Sequence, residues 1–244
     1  FKKSNDQTFE DDLPYAKLVA NNLKLPLNII DNRTNWKNDF HKMIWQLDEP
    51  QADLAPLNVS SISFEARKMG IKVLLGGTGG DDIFSGYRRH QAAIFDSKLK
   101  FLPSNFLFFL SKLTEMIPRK NKRFIRAKKL SQGWGKPEDE KLLHYFSWFD
   151  SHEQLTNIFS QDVFEIIKEF DPYKYGRNII SNLKHLSTID KLLVLEQNTF
   201  LVDHNLNYTD KMSMMHGVEV RVPYLDKDLV NLAGRIPQNI KIKI

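Results

Sequence analysis

Gly76, Gly77, Thr78, Gly79, Gly80 and Asp81, followed at once by a second carboxylate, Asp82, are the residues of this sequence whose types and spacing suit phosphate chemistry. Glycines packed this densely let a backbone take positive φ and approach a ligand closely. Successive N–H groups in such a turn form an anion-binding nest. Two carboxylates beside a phosphate-sized nest suggest a divalent cation bridging protein and phosphate. The loop is not a Walker motif, since no Gly-Lys-Ser/Thr follows, and it is not GxGxxG. On the residues alone two readings stand: a phosphate and cation site, or the ordinary strand–turn–helix junction of α/β proteins, where glycines and an acidic helix start are common.

The elements that must position this loop lie on both sides of it. Ile71, Val73, Leu74 and Leu75 form a β-branched, nearly continuous apolar run, which predicts a strand buried on both faces. The loop then sits at the carboxyl end of a strand, where open α/β sheets bind ligands. A helix from Leu57 to Met69, closed by Gly70, leads into that strand. Further upstream, Asp11, Asp12 and Pro14 start a helix that runs to about Leu23 with Leu13, Ala16, Val19, Ala20 and Leu23 on one face. A short strand is expected over Leu25 to Ile30, then a second amphipathic helix from about Trp36 to Leu47, stopped at Asp48-Glu49-Pro50.

After His90 the pattern changes to helix after helix, from Gln91 to about Lys184. The basic run Arg119 to Lys129 fits either a nucleic-acid patch or the solvated face of a helix whose Phe124, Ile125 and Leu130 pack inward. Gly133 to Pro137 reads as a loop. Ser187 to Asp190 reads as a capped helix start, the helix running to about Val202. Met212, Met214 and Met215 read as core filler. Val218, Val220 and Val222 alternate with Glu219 and Arg221, so the segment is extended and the two charges point the same way as an ion pair. Asp226 caps a last helix to about Ala233. The seven histidines show no metal-ligand spacing, and no zinc site is expected.

Three segments, in order, resemble the asparagine synthetase family: GGTGGDDIFSGYRRH (76–90), which is similar to that family's SGEGGDE…GY segment; Leu47-Asp48-Glu49-Pro50; and TDKMSMMHGVEVRVPYLD (209–226). The resemblance is weak between about Lys98 and Ser187. It implies an α/β, predominantly helical fold with an incomplete adenine-nucleotide α-hydrolase-like (PP-loop ATPase) parallel sheet and an added helical part. The expected division of this partial asparagine synthase domain is an α/β nucleotide-side part over about 1–97 and a helical part over about 98–244. It implies attack of an aspartate carboxylate on the α-phosphate of MgATP, an acyl-adenylate, release of pyrophosphate and AMP, and ammonia supplied by a glutaminase domain outside this chain. The charge on the phosphates must be neutralised, which fixed N–H groups and Mg²⁺ do. By resemblance Gly76 and Gly77 contact the nucleotide, Gly79 and Gly80 complete the loop, and Asp81 binds the Mg²⁺–pyrophosphate unit. Asp82 stands where the family usually has glutamate; with Thr78 and Asp81 it makes up the catalytic residues that the resemblance implies, and Asp53 falls near the nucleotide side of the cleft.

Thr78 replaces the glutamate at the middle of the loop, a residue thought to serve the amine-attack step; relatives that make β-lactam rings carry tyrosine there. The substrate therefore stays open between aspartate, another carboxylate such as a sugar acid of a surface polysaccharide, and a β-lactam-type cyclisation, with a non-catalytic basic binding module as the remaining class. The family's SGGxDS phosphate loop and its C-terminal Lys- and Arg-containing segment are expected outside this stretch of sequence, so the stretch alone is expected to be inactive.

Composition sets the outer limits. At 244 residues and 41% hydrophobic, the chain can build one sizeable core. The absence of cysteine excludes disulfides and thiolate metal sites, and the family's cysteine-dependent glutaminase. A net charge of +5 and a pI near 9.2 favour anionic ligands in general, nucleic acid not in particular. No run reaches the roughly 18 apolar residues of a membrane span, and the first residues lack a signal-peptide core. The expectation is a soluble, cytoplasmic protein without a membrane partner.

Overall fold

Pro14 and the apolar spacing after it do give a helix: in the computed structural model of the chain, α1 spans Leu13–Leu23. The structure describes residues 13–30, 36–51, 53–99, 101–116, 127–128, 130–131, 133–147 and 157–242. Asp11, Asp12 and residues 119–126 and 129 of the basic run lie outside them, and so does the expected inward packing of Phe124 and Ile125. The chain divides into two compact units, 1–77 with 203–223, and 78–202 with 224–244.

In the first unit, α2 (Trp36–Leu47) and α3 (Ala55–Lys68) form as their periodicity predicts. Pro56 stands in the first turn of α3, and Gly70, at φ +80°, follows its end. That left-handed residue turns the chain into β1 (Val73–Leu75). β1 pairs in parallel with β2 (Glu219–Arg221), in the register Val73 to Glu219, Leu74 to Val220 and Leu75 to Arg221. Helix α11 (Asn207–Met214; α4 to α10 belong to the second unit) packs on α2 and α3. Met43, Leu47, Leu57 and Met212 make the core, with Phe40, Ile44, Val59 and Tyr208 against it. Each such side chain contributes about 1.5–3 kcal/mol on burial.

Several expectations fail here for physical reasons. The apolar side of α1 meets no core: Leu18, Val19 and Leu23 are exposed, and only Ala20 is buried. Residues 25–30 form no strand, because a strand needs a neighbour to bond and no described residue pairs with them. β1 is not buried on both faces; Leu75 is 74% exposed, since a two-stranded sheet covers little of itself. Of the three methionines only Met212 is core. Met214, two residues on, points to the far side of α11 and is exposed, and Met215 is partly exposed.

Among its described residues the regular elements of the second unit are helices: α4 (Gly80–Phe84), α5 (Arg88–Lys98), α6 (Ser104–Glu115), α7 (Glu138–His144), α8 (Gln161–Ile167), α9 (Lys174–Ser181), α10 (Thr188–Asn198), α12 (Lys227–Arg235) and α13 (Gln238–Lys241). Its core joins Ala93 and Ile94 of α5, Leu142 and Leu143 of α7, Ile180 of α9, and Ile189, Leu192, Leu193 and Leu195 of α10. The Ser187 hydroxyl accepts the Asp190 amide at 3.2 Å, the cap read from the sequence. α10 stops at Asn198, earlier than expected, where a π-helical stretch, Phe200–Leu206, takes over. Asp226 caps α12 by accepting from Asp228 and Leu229. The loop at Gly133 to Pro137 is a turn, anchored by Trp134 Nε1 donating to Asp96 Oδ1 at 2.7 Å.

Candidate functional site

In the first unit, the glycine run begins as an extension of the sheet. The Gly76 amide donates to the Arg221 carbonyl at 2.7 Å, so this N–H serves the ladder and is not a nest donor. A Cβ on Gly76 would stand 3.0 Å from Val220 Cγ1, which is why a small residue is needed there. Gly77 is exposed, with a φ any residue adopts and nothing within 4 Å of where its Cβ would be. No packing or backbone demand explains glycine at 77.

In the second unit, Thr78 is half-buried in the turn that precedes α4. Gly79 is at φ +95°, and its Cβ would overlap Leu225, so both backbone and space require glycine. Its carbonyl accepts the Ile83 amide and opens α4. Gly80 packs on the ring of Tyr224. Asp81 and Asp82 then diverge, because consecutive helical residues are separated by about 100°. Asp81 is exposed, and its carboxylate lies over the α-carbon of Gly86. Asp82 is buried, 1% exposed, and turned into the unit.

Asp82 enters a cluster that the sequence reading missed. Its Oδ2 accepts the Tyr87 hydroxyl at 3.3 Å, and its carbonyl accepts from Gln197. Burial pushes its carboxyl up to about 6, and the nearby Glu196 carboxylate adds to the effect. Glu196, fully buried on α10, is the acceptor for Arg89 Nε and for His90 Nε2, the latter at 2.7 Å. His90 Nδ1 accepts the Tyr87 amide at 3.3 Å, which puts the ring proton on Nε2. The Arg89 guanidinium stacks over Tyr87, Phe146 and Phe200 at 3.9, 4.9 and 4.7 Å. Asp82 Oδ1 and Arg89 Nη2 have no hydrogen-bond partner among the described residues. The cluster ties the turn after α4 to α10, and so fixes the frame from which Asp81 projects. Its signal was present in the sequence: Ile189, Leu192, Leu193 and Glu196 follow i, i+3, i+4, i+7, with a carboxylate at an apolar position.

Two of the three sequence motifs meet within the first unit. Lys211 Nζ donates to the Leu47 carbonyl and lies 3.8 Å from Asp48 Oδ2. Asn207 Nδ2 donates to Glu49, and Gln46 Nε2 to the Lys211 carbonyl at 3.0 Å. Asp53 accepts the Ala55 amide at 2.9 Å, and its Oδ2 lies 3.1 Å from His204 Nε2. The bond from His204 holds the Asp53 carboxyl below its usual range. Gln51 Nε2 is 3.1 Å from His204 Nδ1, so both ring nitrogens are engaged. Glu219 and Arg221 pair at 2.8 Å as expected, but both side chains are more than half exposed.

The same unit holds a hollow of about 310 Å³ beside Met43, Leu57 and Met212, where Ser60 Oγ and His216 Nε2 bond at 2.8 Å. None of the glycines or aspartates singled out in the sequence lines it. Among the described residues no three His, Asp or Glu side chains converge on one point. Asp81 is a hard, solvent-facing oxygen donor, which suits a cation held by one carboxylate together with ligand oxygens, the usual manner for Mg²⁺. The residues thus fit such an ion.

Comparison with known proteins gives the following. The family model described as asparagine synthase matches residues 2–243. The chain is 25% identical to asparagine synthetase [glutamine-hydrolyzing] 1 of Bacillus subtilis over 85% of its own length and 31% of that protein. It is 26% identical to a putative asparagine synthetase [glutamine-hydrolyzing] of Mycobacterium bovis, over 82% and 29%. It is 22% identical to the amidase chyE of Penicillium rubens, over 96% and 36%. The chain thus spans about a third of the length of the curated relatives it matches. No solved structure matches it.

Proposed function

The chain belongs to the asparagine synthase family, and on that premise we propose that it is part of a synthetase domain that activates a carboxylate with ATP and passes it to ammonia to form an amide. Aspartate is the first substrate to consider, with an acyl-adenylate between the two steps, pyrophosphate and AMP released, and ammonia delivered by a glutaminase domain. The parallel β1–β2 pair would belong to a larger PP-loop-type sheet, with 1–97 on the nucleotide side and 98–244 as the helical part. The observation that carries the reading is the divergence of the two aspartates: Asp81 faces solvent just after the strand and glycine turn, while Asp82 is held inside.

In this reading the Asp81 carboxylate holds Mg²⁺ and pyrophosphate oxygens. Bound there, Mg²⁺ supplies charge neutralisation on the phosphates. Gly76 and Gly77 allow the nucleotide close to the backbone, and Gly79 and Gly80 set the direction of the turn. Asp82 acts from behind, through Tyr87 and the Glu196 cluster, and positions the turn without touching the substrate.

A second reading is favoured by Thr78. A hydroxyl gives or takes a hydrogen bond but cannot serve as a carboxylate base at neutral pH. An amidotransferase acting on another carboxylate, such as a sugar acid, fits that residue better, and a relative named as an amidase fits with varied substrates in this family. The test is ATP–pyrophosphate exchange by the full-length protein with Mg²⁺ and a panel of carboxylates, scored beside amide formation. Exchange with aspartate supports the first reading, exchange only with another carboxylate the second, and none with any acid contradicts both.

A further inference from the structure

Ser60 and Ser61 are neighbours on α3, and their hydroxyls behave differently. Ser61 Oγ donates back to the Leu57 carbonyl at 3.0 Å, the ordinary bond of a helical serine. Ser60 Oγ instead lies 2.8 Å from His216 Nε2, just past the end of α11, and bonds no backbone carbonyl among the described residues. Burial holds His216 below its ordinary pKa, so the ring is neutral at pH 7 and Nε2 can accept the hydroxyl proton. A hydroxyl aimed at a neutral imidazole is the arrangement of an activated nucleophile.

The pair opens on the hollow of about 310 Å³, at the low end of the roughly 300–1,000 Å³ of small-molecule sites. Met43, Leu57 and Met212 floor it, and the Phe64 ring, 5.5 Å from that of His216, stands beside them. Asp39 and Lys42, on successive turns of α2, also line it, and neither forms an ion pair among the described residues. When a hydroxyl attacks a carbonyl, the imidazole turns positive and the carbonyl oxygen negative. Each of those developing charges has one of opposite sign on this wall. His216 Nδ1 has no hydrogen-bond partner among the described residues, so no carboxylate orients the ring, which limits the pair to esters with good leaving groups. His216 precedes β2, and Gly76 follows β1; in a parallel pair these are opposite ends, so the hollow is separate from the start of the glycine loop.

We propose that Ser60 and His216 form a further reactive site, which hydrolyses activated esters of short apolar acyl groups through an acyl-serine. Ser60 Oγ bonds to the carbonyl carbon as its proton passes to Nε2. The ester C–O bond then breaks, and Nε2 gives the proton to the departing alcohol. Water attacks the acyl group next, its proton passing through Nε2 to Ser60 Oγ as the carboxylic acid leaves.

The experiment is incubation of the full-length protein with p-nitrophenyl butyrate, following nitrophenolate release and locating the butyryl group by peptide mass spectrometry. The expected result is a burst of release with butyryl on Ser60. Ser60→Ala should remove that label, and both it and His216→Gln should slow release about tenfold or more, with ATP–pyrophosphate exchange unchanged. Labelling of the wild type needs no variant to fold. Butyryl on lysines only, no burst, or wild-type release by Ser60→Ala each overturns the proposal and leaves the pair as a tie between α3 and the end of α11.

Discussion

The Asp81 carboxylate occupies the place a side chain on Gly86 would need: a Cβ at 86 would overlap Oδ1 and stand 3.0 Å from Asp81 Cβ. The Gly86 amide also donates to the Asp81 carbonyl at 3.1 Å. The glycine after α4 therefore sets the rotamer of the proposed cation ligand, which joins the two halves of the 76–90 motif physically.

Gly86→Ala should accordingly act on function and leave the fold alone. Asp81 is at the surface and can swing away, so we predict a stability change within about 0.5 kcal/mol, as for surface substitutions generally. Metal-dependent turnover of the full-length protein should fall about tenfold or more, the equivalent of about 1.4 kcal/mol in barrier. Wild-type turnover across a Mg²⁺ titration would show that the position of Asp81 is unimportant.

Gly77 and Gly79 should separate cleanly. Gly79→Ala combines a left-handed backbone with overlap on Leu225, and we predict a loss of about 2–4 kcal/mol in urea unfolding from strain and overpacking. Gly77→Ala meets neither obstacle and should leave unfolding within about 0.5 kcal/mol. If it also leaves turnover intact, Gly77 makes no close contact with a nucleotide.

How much of this was legible in the sequence depends on whether a feature is local. The strand after Gly70 and the caps at Ser187 and Asp226 follow from nearest neighbours and were readable, whereas the sequence offered positive φ to all four glycines of the loop and only Gly79 takes it. Asp81 and Asp82 look equivalent as text; only a helix, turning about 100° between them, sends one out and one in. The strand expected over Leu25 to Ile30 failed because pairing is a property of two segments, and the sequence of one cannot report the other. The outward phenylalanines of α6, Phe106, Phe108 and Phe109, carry the same lesson, since periodicity gives a face but not its direction.

Glu196 should be the most sensitive carboxylate in the second unit. It is fully buried and answers Arg89 and His90 together. Glu196→Ala strands both partners, and we predict about 3–5 kcal/mol of destabilisation in urea unfolding. A loss below about 1 kcal/mol would mean that water or rearrangement satisfies Arg89 and His90 without it.

His216 gives the first unit a pH dependence. Burial holds its pKa below the ordinary 6.5, so the folded state binds the proton less well than the unfolded chain. Stability from this group is present above 6.5 and is lost as pH falls through the folded value. Between neutral and mildly acidic pH His216 lowers the melting temperature, against the opposite slope from Asp82, whose raised carboxyl gains stability as pH falls through about 6; His216→Gln should remove the first part and make melting less sensitive to acid than in the wild type. An unchanged slope in the variant would assign the decline to other groups. Asp53, whose carboxyl is lowered, loses its contribution only at still lower pH, below its ordinary 3.8.

The central claim, that Asp81 serves phosphate chemistry and not the fold, is tested most directly by Asp81→Asn in the full-length protein. ATP–pyrophosphate exchange with the best carboxylate and Mg²⁺ should fall about a hundredfold or more, the scale of losing one charge-stabilising group at a reacting phosphate, while the melting temperature stays at the wild-type value. A variant that melts far lower yet exchanges pyrophosphate at the wild-type rate when folded would contradict the account and make Asp81 structural.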